Sequence, residues 1–129
     1  MGVDIRAYIE IKFRGPDYDC VAEVFLARDY NLFRRIGWQN NPDLAIFTPR
    51  GFPDGASFYV DGQYHGLGAA REEPLAHWTF PSWLNSAEFA TVVERAEQGG
   101  IEVPASYYVI RTMMRDLPDC RLVFWWEDF

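Results

Sequence analysis

Asp4, Arg6 and Glu10 share one parity of a segment that alternates without a break over residues 3–14. In an extended strand, alternate side chains share a face, and charges two positions apart lie roughly 7 Å from one another. Acid, base, phenol, acid and base in that row make either a solvated surface or the floor of a polar site. A second charged group is the loop Arg50-Gly51-Phe52-Pro53-Asp54. Arg50 and Asp54 can pair across a tight turn and simply fix the loop. Alternatively, Arg50 joins the strand residues in a polar groove, where its planar fork suits a carboxylate or a phosphate. His77 would then stand at the rim as acid or base. Asp4, Arg6, Glu10, Arg50, Asp54 and His77 are therefore the candidate ligand-binding set. The corresponding chemistry is small-ligand or nucleotide binding, or hydrolysis. No residue is assigned a catalytic role.

Other chemistries find little footing. His65 and His77 are the two histidines, with no HxH or HxxxH spacing. A guanidinium beside Asp4 fits an ion pair or an anion clamp better than a divalent ion, so neither metal nor cofactor is expected. Cys20 and Cys120 sit inside apolar, strand-like stretches and read as small buried hydrophobes in a reducing compartment. There is no G-x-S-x-G element. Gly66-Leu67-Gly68-Ala69-Ala70 lacks both the GxGxxG spacing and a following helix, which argues against a phosphate cradle.

Composition points elsewhere. With 19 acidic and 12 basic residues, the net charge of −7 argues against binding a nucleic-acid backbone. It suits a chain that offers carboxylates to a basic partner. No signal peptide and no membrane span are apparent, so a cytoplasmic location is expected. Aromatics reach 17%, with five Trp, seven Tyr and ten Phe, and many crowd the middle of the chain. Exposed Tyr and Trp supply much of the energy at protein interfaces. Trp38, Tyr59, Tyr64 and Trp78 are the candidate partner contacts, each weighed against an ordinary place in the core.

The elements that must position these residues are legible in parts. Val3, Ile5, Ala7, Ile9, Ile11 and Phe13 form the buried side of the first strand, which Gly15-Pro16-Asp17 ends. Residues 20–26 read as a second strand. Asp29 caps a helix over residues 30–36, and Gly37 stops it. Residues 38–81 are irregular except for one hairpin, in which Asp61-Gly62 sets Tyr59 opposite Tyr64 and Phe58 opposite His65. Asn85-Ser86-Ala87-Glu88 has capping-box spacing and opens a helix with Phe89, Val92, Val93 and Ala96 on one face. A further helix begins at Pro104, with Tyr107, Ile110, Met114 and Leu117 in its stripe. Residues 120–127 are apolar on both faces, as a central strand should be. The sum is one α+β domain over residues 1–129. Its mostly antiparallel sheet includes the N- and C-terminal strands as neighbours, with about three helices packed on one face.

Several of these segments resemble, in collinear order, a family of small uncharacterised phage and prophage proteins. Met1-Gly2-Val3-Asp4-Ile5-Arg6 is similar to its Met-Gly-Cys-Asp-Ile-His opening. Arg28-Asp29-Tyr30-Asn31-Leu32-Phe33 resembles its Arg-x-Tyr-x-Leu-Phe helix start, and Arg50-Gly51-Phe52-Pro53-Asp54 its Arg-Gly-Leu-Pro-x-Asp loop. His77-Trp78-Thr79-Phe80-Pro81-Ser82-Trp83-Leu84 is similar to its His-Ser-x-Ser-Trp-Leu element, with His77 at shifted spacing, and Leu122-Val123-Phe124-Trp125-Trp126-Glu127-Asp128 resembles its closing strand. Val3 and Arg6 stand where the family has cysteine and histidine. The resemblance implies a phage-type accessory protein inside a bacterial host and supplies no reaction. With the charge and the aromatic loops, the expectation is a non-enzymatic module that binds and blocks a host protein, such as an anti-defence, anti-CRISPR-like inhibitor. A ligand binder or hydrolase at the polar groove is the alternative, and a structural phage component or homo-oligomer a third.

Overall fold

A computed structural model describes residues 2–67 and 78–128. The elements run β1 (Val3–Ile11), β2 (Asp19–Val24), α1 (Tyr30–Arg35), a 3-10 turn (Trp38–Asn40), β3 (Ala56–Val60), β4 (Gln63–Leu67), β5 (Thr79–Asn85), α2 (Ser86–Gln98), α3 (Ala105–Asp116) and β6 (Cys120–Asp128). Four strands form an antiparallel sheet in the order β2-β1-β6-β5, and β3 and β4 pair separately. The architecture is α+β, with the first and last strands adjacent at the centre of the sheet.

Local chemistry explains most elements. The Asp29 side chain accepts from the Leu32 N–H at 3.0 Å and caps α1. Asn85 and Glu88 complete a reciprocal capping box at the start of α2. Asp61 (φ 51°) and Gly62 (φ 83°) take the left-handed conformations that a two-residue hairpin turn needs, and Tyr59 faces Tyr64 as the spacing predicts. The last helix begins at Ala105, one residue later than expected, with Pro104 in the capping position.

Both faces of the sheet are covered. On one face, Ala7, Ile9, Leu122, Phe124 and Trp126 pack against Leu32 and Phe33 of α1, Phe89, Val92 and Val93 of α2, and Tyr107, Ile110 and Met114 of α3. On the other face, Tyr8, Val123 and Trp125 pack against Ala56, Phe58 and Val60 of the hairpin and against Trp78. This second layer explains why β6 is apolar on both sides.

The sequence reading departs from the structure in four places. Tyr8 and Glu10, placed on a solvated or site-lining face, are buried beneath the hairpin and the preceding loop. Phe13, placed on the buried side, is exposed because β1 stops at Ile11. β2 ends at Val24, so Phe25 and Leu26 lie beyond the ladder. β5 takes in residues 79–81 of the stretch expected to be irregular. It holds Pro81, which has no N–H to donate, and Phe80 with φ 51°, and its register slips between Thr79 and Ser82. An edge strand tolerates both faults, which hide it from a pattern search.

Candidate functional site

Of the residues expected to share one groove, Asp4 and Arg6 line one open depression beside β2, while Glu10 and Arg50 lie elsewhere. Asp4 accepts from Arg28 Nε at 2.7 Å, which holds its carboxyl below the usual range. Arg6 lies two positions along the strand and is met by three carboxylates: Glu127 at 3.2 Å, Glu23 at 3.2 Å and Asp61 at 3.3 Å. Burial works against its charge, but these acids outweigh burial and raise its pKa. Glu127 also accepts from the Trp125 indole N–H at 3.1 Å. Arg6 therefore fastens β1, β2, β6 and the hairpin turn to one another.

Glu10 is fully buried opposite Arg121, whose Nε donates to it at 2.6 Å. Arg121 in turn lies over the Tyr18 ring at 3.7 Å and reaches the Asp54 carbonyl at 3.5 Å. Burial pushes the Glu10 carboxyl up, and the hydrogen bond and charge of Arg121 only partly offset this. Cys20, on the same side of the sheet, is driven up to about 11 by burial, which leaves it a weak nucleophile at neutral pH.

Arg50 is remote from that strand face. Its guanidinium makes a two-pronged ion pair with Glu88, stacks over the Trp83 ring at 4.5 Å, and donates to the Trp83 carbonyl at 3.2 Å. Its backbone N–H is bonded to Ser82 Oγ at 3.0 Å. Arg50 is a latch that ties the loop before β3 to the junction of β5 and α2. Its ion-pair partner is thus Glu88, the third helical residue of α2 and half of its capping box, and Asp54 stands exposed at the end of the loop. His77 lies outside the described residues.

The four aromatic candidates divide evenly. Trp78 is 5% exposed and stacks on Trp125 at 4.4 Å, in a pile that continues to Tyr8 at 5.4 Å. Trp38 is half-buried, stacked on Tyr30 at 5.2 Å and edge-on to Phe33. Both are consumed by packing. Tyr59 and Tyr64 are instead 68% and 56% exposed, edge to face at 5.3 Å on the outer side of the hairpin. The backbone behind them is held, because the Tyr8 hydroxyl donates to the Tyr59 carbonyl at 3.2 Å.

Sequence reasoning missed the partner charges Glu23, Arg28, Asp61, Glu88, Arg121 and Glu127. One signal was available. Once the terminal strands are taken as neighbours, one register sets Glu10 against Arg121, although that register also sets two acids, Asp4 and Glu127, opposite each other. It also sets Glu127 diagonally across from Arg6.

Among the described residues no three His, Cys, Asp or Glu side chains converge as metal ligands, and no helix is long and apolar enough to cross a membrane. Arg6 itself holds the centre of the one carboxylate trio described above. No family model, no curated protein and no solved structure matches the chain.

Proposed function

We propose that this is a non-enzymatic protein-binding module, a phage-type accessory protein that blocks a bacterial host protein. The observation that carries the reading is the Tyr59–Tyr64 pair. Two large amphipathic rings stand exposed and in mutual contact on a hairpin whose inner face is locked into the core. Such rings lose little conformational freedom on binding and make good anchors. Acidic Asp61 stands in the turn between them, and the chain carries −7 overall, so the partner surface is basic. The groove alternative is the weaker reading. Asp4, Arg6, Glu10 and Arg50 are each engaged in a separate ion pair, and a reaction centre needs its charged groups converging and available.

The test is cross-linking capture from bacterial lysate with the wild-type chain and with Tyr59→Ser/Tyr64→Ser. Both rings are exposed, so the double variant should lose little beyond their cross-strand contact, about 1 kcal/mol, and stay folded. A protein captured by the wild type and lost with the variant supports the reading. Equal capture by both, or none by either, overturns it.

A further inference from the structure

We propose that the notch where β1 and β2 part is a docking site for an extended segment of a partner protein, one that places an apolar side chain next to a lysine or arginine. This surface is distinct from the tyrosine pair and extends the binding reading to a second contact.

Three features of the notch define the occupant. The β1–β2 ladder ends at Ala7 and Val24, and the chain then turns away toward α1. Among the described residues, 3–6 of β1 are paired with β6 alone. Their outer edge therefore offers backbone N–H and C=O groups to an added extended segment.

Phe25 stands at this parting, 74% exposed, and borders two depressions. The first is an apolar groove of about 350 Å³ between β2 and α3, lined by Val24, Val109, Ile110 and Met113. It has room for one aliphatic or aromatic side chain. The second, of about 470 Å³, opens onto the free edge of β1 and is lined by Asp4, Arg6 and Glu23.

Charge selects the occupant of the second depression. Asp4 is matched by Arg28, whereas the exposed acids Glu23 and Asp61 both meet the single guanidinium of Arg6. Two surface carboxylates on one guanidinium leave a local excess of negative charge. An incoming cation is attracted to those acids and can lie on the face of Phe25. A second copy of this chain is a poorer fit, because at −7 it would bring acids toward acids. β2 itself resists strand addition. Its ladder is interrupted between Ile9 and Glu10, and Asp19 and Glu23 are exposed along it.

The test uses the whole isotope-labelled chain and three synthetic hexapeptides. The first alternates Lys or Arg with Val or Leu. The second replaces each basic residue with Glu, and the third replaces each apolar residue with Ser. The first peptide should give saturable amide shifts at residues 4–6, 23–26 and 106–113, and the other two should not. Phe25→Ser should weaken it about tenfold, as loss of an exposed anchor does. Glu23→Gln should weaken it less and flatten its dependence on salt. Tyr59→Ser/Tyr64→Ser should leave it unchanged, so failure here and failure of the tyrosine reading are told apart. The proposal is overturned by the absence of saturable shifts, by an equal response to the acidic or serine peptide, or by indifference to both substitutions. Shifts that grow with protein concentration in the absence of peptide would place a second copy in the notch and overturn it as well.

Discussion

The two faces of the sheet are sealed by different means. On the helix side the layer is mostly aliphatic, supplied by regular stripes from three helices. The polar groups that reach it are modest: the Tyr107 hydroxyl on the Ala27 carbonyl, and Ser106 Oγ accepting from the Ala27 N–H. On the hairpin side the layer is a pile of rings, Trp78 on Trp125 on Tyr8, flanked by Phe52 and Phe58 and bordered by the pairs Glu10–Arg121 and Arg6–Glu127. The reason is area. β3 turns only Ala56, Phe58 and Val60 inward, and a two-stranded hairpin is marginal alone. Large rings and specific ion pairs compensate for the short lid. The helix layer holds by breadth and the hairpin layer by a few strong fastenings.

Removing the central ring should break this contrast most sharply. Trp125→Ala should cost up to about 5 kcal/mol, because it leaves a large cavity under a small lid. Hydrogen exchange at residues 56–60 should accelerate far more than exchange at residues 89–96. Phe89→Ala on the helix side should cost a comparable amount and loosen α2 while leaving the hairpin protected. If both substitutions relax both layers equally, the two seals are one cooperative unit.

The buried pair separates the layers by chemistry. Arg121→Ala strands the Glu10 carboxylate in the interior and should cost about 3–5 kcal/mol. Replacing both residues by Met and Leu should cost much less or stabilise. The pH dependence has a definite sign. Burial raises the folded-state pKa of Glu10 above its ordinary 4.5, so over that interval the folded chain binds more protons than the unfolded one. This term therefore adds stability as pH falls and removes it as pH rises through the folded pKa. The penalty of Arg121→Ala should be largest at neutral pH and shrink toward acid, which chemical denaturation at a series of pH values measures. A penalty independent of pH would mean that Arg121 acts through its stacking on Tyr18 rather than through Glu10.

The same division set what the sequence disclosed. Elements of the helix layer carry their own punctuation: Asp29 and Asn85 cap, Gly99-Gly100 and Pro118 stop, and Phe89, Val92, Val93 and Ala96 recur at helical steps. They were legible because each signal lies within a few residues of its effect. The hairpin turn was legible for the same reason. Its docking onto β1 was not, because nothing local to Phe58 says that it will meet Tyr8 fifty residues earlier. The charged parity of β1 looked like a site because its neutralising partners stand far along the chain, Arg121 for Glu10 and Glu127 for Arg6. Tyr59 and Tyr64 could be named as candidates but not told from Trp38 and Trp78. The hairpin pairing set Tyr59 opposite Tyr64, but pairing alone does not say which side of the hairpin faces the core, and only packing does.

Arg50 is where the two layers are strapped together, and its contribution should be the smallest of the three. The loop that carries it approaches the hairpin layer through Phe52, while its guanidinium grips Glu88 at the start of α2. Arg50 and the Asn85 N–H hold the Glu88 carboxyl below its ordinary 4.5. For a depressed acid the sign is opposite to that of Glu10. The unfolded chain takes up the proton first, so the stabilisation is full above pH 4.5 and is lost as pH falls through the folded value. Glu88→Gln keeps most of the cap geometry and should cost about 1–2 kcal/mol at neutral pH, shrinking below pH 4.5. Arg50→Met should reproduce that loss, and the double variant should cost little more than either single one, since the two act through one contact. Additive costs in the cycle would show that Arg50 works chiefly by stacking on Trp83. The strap would then belong to the hairpin layer alone, and the two faces would be joined only through the sheet itself.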